Sequence, residues 1–431
     1  MTFSEKLRNQ LFWLTDTIKG GSVKTQLNQI KAVFDNPDTL SAYTQSALAE
    51  LLSYATEQVP FYQNLKGGQI ETFPVIDKNL LRADTERFCS VAVNPAERIP
   101  ATTSGSTGTP FTVYHDRKKK IRNSADTIFF AKLGGYELGT KLYYFKIWSA
   151  YNKKSRLLRY MQNIEAVDAL NLKANLGTVL KKLQGGKQPV AFLGYVSAFE
   201  TICKYLDTHP LEMKKKVSSV ITMSESLDDY TKETAAKHFG CPVLSRYSNI
   251  ENGIIAQQTI DSPDDFVINM ASYYVEILDM NDDKVLEHGQ LGRIVVTDYY
   301  SLAMPLIRYD TGDMGVLEEK LIGGRKLLVL SRIEGRKLDR IYNTKGELIS
   351  SYIVYKNMWK YTEIEQYQFI QQSAKQYLFK VCIREKFKRE DELIGEFKSY
   401  LGADADFQVE YVEEIPLLNS GKRKKVMNIS V

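Results

Sequence analysis

The stretch Thr102-Thr103-Ser104-Gly105-Ser106-Thr107-Gly108-Thr109-Pro110 decides how the rest of the chain is read. It crowds six hydroxyl side chains and two glycines into nine residues. Glycine permits positive φ and close backbone approach. Hydroxyls and turn N–H groups together make a donor-lined concavity that suits phosphate oxygens. The common phosphate loop ends in Gly-Lys-Ser/Thr and opens a helix. Here Thr109 and Pro110 follow the last glycine, and Phe111-Thr112-Val113-Tyr114-His115 then has the β-branched and aromatic content of a strand. The loop is therefore expected to join two strands. Taken alone it is better explained as a plain surface turn.

The downstream sequence changes that balance. Tyr247-Ser248-Asn249-Ile250-Glu251 comes first, then Arg308-Tyr309-Asp310-Thr311-Gly312-Asp313. Gly335-Arg336-Lys337-Leu338-Asp339 and Ser420-Gly421-Lys422 complete the series. These five ordered motifs resemble those of the adenylate-forming superfamily of acyl-CoA synthetases, luciferases and peptide-synthetase adenylation domains. The likeness points to the phenylacetate-CoA ligase-like branch, including the CapK-type proteins of polysaccharide gene clusters. It runs over nearly the whole chain.

The resemblance implies a reaction and a set of roles. A carboxylate attacks the α-phosphate of ATP, giving an acyl-adenylate and pyrophosphate. Both reactants are anionic, so the site must neutralise charge and hold them in line. The loop Thr103, Ser104, Gly105, Ser106, Thr107 and Gly108 would bind the β- and γ-phosphates. Tyr247 would stack on adenine, with Ser248 and Asn249 beside the nucleotide and Asn249 near the α-phosphate. Glu251 would hold Mg²⁺, a hard cation that takes carboxylate oxygen. Asp313 would accept both ribose hydroxyls, presented by a tight Thr311-Gly312 turn. Arg336 would reach ribose or phosphate, and Lys422 would stabilise charge between carboxylate and α-phosphate. Two positions depart from the pattern. Thr109 stands where many members carry Lys, and Leu338 stands at the hinge position usually held by Asp or Lys.

The implied co-substrates are ATP with Mg²⁺, a small carboxylic acid, and CoA, a carrier-protein thiol or an amine as acceptor. Some members of the branch carry a Cys/His metal site between the Tyr-Glu and Asp motifs. This chain lacks such a set, so no zinc is expected. A degenerate, non-catalytic nucleotide-binding or scaffold member of the same fold is the alternative. Thr109 and Leu338 favour that alternative; Glu251, Asp313, Arg336 and Lys422 together argue against it.

Composition agrees with an ordinary globular protein. The 431 residues are 43% hydrophobic and 25% charged, enough for two or three domains with a large core. A formal charge of +5 is mild for this length and, with no reading motif present, points away from nucleic acid. The runs Lys118-Lys119-Lys120 and Lys422-Arg423-Lys424-Lys425 read as solvated surface, the second with a possible anionic partner. Cys89, Cys203, Cys241 and Cys382 are scattered, which suits buried thiols in a reducing cytoplasm. No leader pattern or apolar run of about 20 residues suggests a bilayer span. Leu11-Phe12-Trp13-Leu14 reads as part of an N-terminal helix packed on the main domain, with contact to a membrane surface as the alternative.

Periodicity gives the order of elements. Residues 40–57 and 118–133 have helical spacing, and residues 141–148, 189–195, 218–224 and 242–247 read as strands between helices. Ser197 is a possible cap for the helix after residue 195. Alternating strands and helices argue for a largely parallel α/β sheet, whose ligands bind beyond the carboxyl ends of strands. Ser224, Glu225 and Tyr247 sit at such ends and are nucleotide-pocket candidates. Trp148 and Tyr195 are acyl-pocket candidates, since apolar and aromatic walls line such pockets. Short strands from residue 267 to 297 suggest a β subdomain. The expected class is α/β: parallel α/β sheets plus a β subdomain over residues 1–335, and a small mobile α+β C-terminal lid over 336–431. The hinge is expected near 336–339.

Overall fold

The structure is a computed structural model that describes residues 1–65, 68–103, 111–148, 155–184, 188–210, 216–334, 341–349, 352–358, 360–361, 363–383, 387–416 and 423–430. The chain opens on three helices, α1 (Phe3–Ile18), α2 (Ser22–Asp35) and α3 (Leu40–Gln58), and then the short α4 (Lys78–Ala83). The strands β1 (Ile99–Thr103) and β2 (Phe111–His115) follow as an antiparallel pair, so the flanks of the Ser/Thr/Gly loop are strands as expected. Thr102 and Thr112 face each other across this pair with hydroxyls 2.8 Å apart.

Next come α5 (Arg117–Leu133), β3 (Lys141–Lys146), α6 (Arg156–Met161), β4 (Ile164–Asp168), α7 (Leu172–Gln184), β5 (Val190–Tyr195), α8 (Val196–Thr208), β6 (Val217–Met223), α9 (Asp229–Phe239) and β7 (Val243–Asn249). Six more strands follow: β8 (Gly253–Thr259), β9 (Ser262–Ile268), β10 (Tyr273–Leu278), β11 (Leu291–Asp298), β12 (Tyr309–Ile322) and β13 (Arg325–Glu334). They form one eleven-stranded sheet in the order β10-β11-β12-β13-β9-β8-β7-β6-β5-β3-β4. The pairings β4–β3–β5–β6–β7 are parallel, as βαβ crossovers require. Beyond β7 the ladder with β8, and that of β8 with β9, are antiparallel.

Two buried clusters anchor this region. Phe145, Phe192, Phe199, Leu180 and Val220 pack α7, α8 and α9 onto the parallel strands. Tyr62, Phe73, Phe88, Phe111 and Tyr309 gather α3, the residues before β1, and the start of β12. A charged network ties α5 to the sheet. Lys119 and Asp298 are wholly buried and lie 2.6 Å apart, and Lys119 also donates to the Tyr273 hydroxyl at 3.1 Å. Within the run 118–120, Lys118 is exposed and Lys120 half-buried, but Lys119 is not solvated surface. The helical period turns its middle lysine inward, and an aspartate from β11 meets it there.

The residues group into two compact units, the first holding residues 1–103, 111–311 and 315–332. The second is centred on its own four-stranded sheet, β18-β17-β16-β19. Its elements are β14 (Ile341–Tyr342), β15 (Leu348–Ile349), α10 (Tyr352–Met358), β16 (Ile364–Gln371), β17 (Gln376–Ile383), α11 (Glu390–Leu401), β18 (Asp406–Tyr411) and β19 (Val426–Asn428). Phe369, Tyr377, Phe379 and Phe397 form its core. The basic run leads directly into the last strand. Arg423 pairs with Glu414, and the Lys425 ammonium lies 5.2 Å from the Tyr367 ring centroid, so both cations are already engaged.

Candidate active site

Glu251 is the point on which three distant stretches converge. Its side chain is 1% exposed, yet it carries a carboxylate. Lys78, the first residue of α4, places its ammonium 2.8 Å from Oε1. Tyr309, at the start of β12, donates its hydroxyl to the same oxygen at 3.1 Å. His115, the last residue of β2, meets the Glu251 backbone carbonyl through Nε2 at 2.7 Å. A carbonyl only accepts, so that nitrogen carries the proton and Nδ1 is a buried, unpartnered acceptor. Burial pushes the His115 imidazole below its ordinary range.

Local sequence explains each approach. Asp77 caps α4 through Leu80 N at 2.8 Å, which starts the helix at Lys78. Backbone bonds Ile76 N to Arg308 O at 3.0 Å and Asp310 N to Ile76 O at 2.8 Å lay residues 73–78 against the start of β12. Arg308 adopts φ +50° and is held there by bonds to Phe73 O at 3.1 Å and Glu71 O at 3.3 Å and by the Glu276 carboxylate at 3.2 Å. A non-glycine residue in that region costs about 1 kcal/mol and persists only where its surroundings fix it.

The Tyr247 motif meets the Asp motif as well. Tyr247 donates its hydroxyl to Thr311 Oγ1 at 3.2 Å, and Thr311 in turn bonds Ile294 O at 2.9 Å. The expected Thr311-Gly312 turn is instead strand backbone within β12, bent by a left-handed Gly312 at φ +81°. Asp313 follows that bend. Asn249 Oδ1 accepts Asn252 N at 2.7 Å, which shapes the turn into Glu251. Ser248 lies between them, where β7 and β8 shift register.

Ser224 follows β6 with φ +70°, a second strained residue at a strand end. The Glu225 carboxylate takes Ser197 N at 2.7 Å and Ser197 Oγ at 3.2 Å. Ser197 is thus not the cap of α8. Tyr195 holds the N-cap position without a side-chain bond, and the helix N-terminus draws its oxygens from Glu225. Thr103 ends β1. Ser104, Gly105, Ser106, Thr107, Gly108, Arg336, Leu338 and Lys422 lie outside the described residues.

The acyl-pocket candidates fall at the same edge of the parallel sheet. Trp148 sits just past β3 and donates Nε1 to Tyr144 O at 3.3 Å and Val167 O at 3.2 Å. Tyr195, half-buried at the end of β5, pairs in register with Met223 of β6, which pairs with Arg246 of β7. Two neighbours escaped sequence reasoning. Tyr144 is half-buried; its hydroxyl meets the Met223 sulfur at 3.9 Å, and desolvation pushes its pKa up to about 12. Arg246 is buried, and burial pushes it down to about 10. Its Nε bonds the neutral Gln257 Oε1 at 2.8 Å, and no described carboxylate forms an ion pair with it. Nothing in the local sequence of Tyr144 or Arg246 distinguishes them from ordinary strand residues; Met223 links them, touching the Tyr144 hydroxyl and pairing in register with Arg246.

This architecture is that of the adenylate-forming ligases. A solved 2-hydroxyisobutyryl-CoA ligase in its postadenylation state superposes with a TM-score of 0.69 at 17% identity, covering 90% of this chain and 89% of that one. Within that fold, residues 341–429 match the CapK C-terminal domain. Over 403 residues the chain is 24% identical to protein CapK of Staphylococcus aureus, covering 88% of this chain and 87% of that protein. A shorter stretch of 140 residues is 28% identical to phenylacetate-coenzyme A ligase of Pseudomonas putida, covering 32% and 30%. The chain is thus similar to CapK over most of its length and shares its fold with a solved acyl-CoA ligase.

Proposed function

We propose that the protein is an ATP-dependent ligase that activates a small carboxylic acid as its acyl-adenylate and passes the acyl group to a thiol or amine acceptor. The observation that carries this is the convergence of Lys78, His115 and Tyr309 on the buried Glu251, with the Tyr247 motif bonded to the Asp motif through Thr311. Lys78 and Tyr309 compensate the cost of burying that carboxylate, which leaves a charged group held in place beside the nucleotide motifs.

In this reading one carboxylate oxygen of the acid bonds to the α-phosphorus. The bond from that phosphorus to the β-bridging oxygen breaks, and pyrophosphate leaves. Tyr247 supplies a face for adenine and Asp313 accepts the ribose hydroxyls. The Ser/Thr/Gly loop holds the leaving phosphates, with Ser248, Asn249, Ser224 and Arg336 beside the nucleotide. Glu251 fits a Mg²⁺ ligand, because this ion is held by one or two carboxylates together with substrate phosphates. The metal would neutralise phosphate oxygens. Lys78 already neutralises Glu251, so it is the cation that would share or yield that carboxylate. Lys422 would add charge at the α-phosphate. The acid would lie among Tyr144, Trp148, Tyr195 and Arg246, whose buried guanidinium supplies a countercharge for an anionic or strongly accepting substrate.

CoA and an amine remain distinct acceptors, in CoA ligation or in polysaccharide or secondary-metabolite assembly in the cytoplasm. ATP–pyrophosphate exchange across a panel of acids tests the first half-reaction without an acceptor. Exchange dependent on one acid, and lost in Asp313→Ala, supports the reading and names the acid. ATP binding with no exchange for any acid favours the degenerate nucleotide-binding member instead. Incubating the identified acid and ATP with CoA, a carrier protein or an amine then separates the acceptors by product mass.

A further inference from the structure

Helix α1 is amphipathic in the inverse sense. Its fully buried residues are acidic and face inward. Glu5 is buried, closes a capping box with Thr2 and accepts Lys141 N at 3.3 Å. Asn9 donates to Leu138 O at 2.9 Å. Asp16 is buried and accepts Val23 N at 3.1 Å and Lys24 N at 2.9 Å. Its outward face is apolar. Phe3, Leu7, Leu11, Leu14 and Ile18 are 83%, 44%, 50%, 56% and 76% exposed. At 100° per residue these five fall in a stripe roughly 80° wide, along a helix about 24 Å long. Phe12 and Trp13, by contrast, turn inward and are half-buried.

The stripe does not stand alone. Arg8 donates Nε to Tyr160 O at 3.3 Å and lies 5.2 Å from the Tyr160 ring centroid, which sets α6 beside α1. Leu157, Leu158, Tyr160 and Met161 of α6 are exposed as well. Single exposed apolar residues are ordinary on a protein surface, but nine on two adjacent helices form a patch that marks an interaction surface. The rim has one sign of charge. On these two helices the charged side chains wholly or partly open to solvent are Lys6, Arg8, Arg156 and Arg159, while Glu5 and Asp16 are buried.

We infer that α1 and α6 form a docking face for an anionic lipid bilayer, with α1 lying in the plane of the interface. An apolar stripe flanked by cations is the pattern of helices that bury one face at the headgroup boundary and draw further affinity from anionic lipid. A second copy is the poorer occupant, because a twofold contact through this face would set the same four cations against themselves. A helix whose acidic groups are spent on backbone bonds has nothing of negative sign left to offset that repulsion.

Flotation of the full-length protein with vesicles rich in phosphatidylglycerol, and with vesicles of phosphatidylcholine alone, tests the inference. The protein floats with the anionic vesicles and much less with the neutral ones, and high salt weakens binding. Leu7→Ser/Leu11→Ser/Leu14→Ser lowers the bound fraction by more than about tenfold, with thermal stability and pyrophosphate exchange preserved. Lys6→Glu/Arg156→Glu weakens binding to anionic vesicles and flattens its salt dependence. Failure of the wild type to float with anionic vesicles overturns the inference. So does unchanged flotation of the triple variant, or equal binding to neutral vesicles. A wild-type dimer that the triple variant converts to monomer in sedimentation equilibrium also overturns it, assigning the face to a second copy.

Discussion

Around Glu251 charge has been drawn inside the protein, while along α1 apolar side chains have been left outside. Burying a carboxylate costs free energy unless cation and hydrogen bonds compensate it. The compensation here comes from three separate stretches of chain, so the folded state is shaped around that group. Leaving Phe3, Leu7, Leu11, Leu14 and Ile18 in water forgoes burial of about 1.5–3 kcal/mol for each large apolar side chain. Both regions depart from the ordinary partition of polar and apolar groups, and in each the departure points to something the protein binds. They differ in what holds them. The Glu251 region is fixed by long-range contacts and tolerates little change, whereas the stripe contributes little to the fold and is open to substitution.

That difference can be broken by experiment. The largest effect is expected from Lys78→Met, which strands the buried Glu251 carboxylate. Allowing for the 29% exposure of Lys78, stability should fall by about 2–4 kcal/mol. Chemical denaturation checks this. Lys78→Met/Glu251→Leu should lose less than the sum of the single changes, the mark of a coupled pair.

Tyr144 gives a pH signature of slightly smaller size. Its folded pKa is raised to about 12 from an ordinary 10.0 by burial. Below the ordinary value both states hold the proton and its contribution is fully present. Between the two values the unfolded chain ionises first, so stability is lost as pH rises through that window. The loss is on the order of 2–3 kcal/mol. Subtracting the alkaline stability profile of Tyr144→Phe from that of the wild type isolates it.

Arg246→Met tests whether the buried guanidinium serves substrate or fold. The change strands the buried Gln257 Oε1, so stability should fall by about 1–3 kcal/mol whichever role holds. If the guanidinium faces the acid, KM for the acid rises by about tenfold or more, equivalent to about 1.4 kcal/mol, with KM for ATP unchanged. Equal rises for both substrates would assign Arg246 to the framework. The smallest effect belongs to the other region. Each leucine-to-serine change on the α1 stripe should alter stability by less than about 0.5 kcal/mol, read from thermal melts. A larger loss would show that the stripe packs against the fold.

Much of the fold was legible from periodicity. The parallel strands β3, β5, β6 and β7 and the strands flanking the Ser/Thr/Gly loop appear where spacing places them, whereas α6 and the edge strand β4 are not legible in it. The exceptions have physical causes. Lys119 looked solvated because a triple lysine run hides which member faces inward, and Asp298 lies far away in sequence. Residues 309–313 looked like a turn because glycine beside aspartate has turn chemistry, yet the strand simply bends at Gly312. Lys78 reads locally as an ordinary helix start, and only the approach of Glu251 gives it a role. Tyr144 and Arg246 needed the folded sheet, where Met223 touches the first and pairs with the second. The motif order supplied Tyr247, Glu251 and Asp313 directly, since they stand together in the stretches that carry the family likeness.

The central claim is that Glu251 organises a site for adenylation. ATP–pyrophosphate exchange by Glu251→Gln, with the acid that supports exchange in the wild type, tests it most directly. Gln keeps the shape and the acceptor for Tyr309 but removes the charge. The account predicts a fall in exchange on the order of a hundredfold or more, with ATP binding retained and the fold intact by circular dichroism. Exchange at the wild-type rate in that variant would contradict the account.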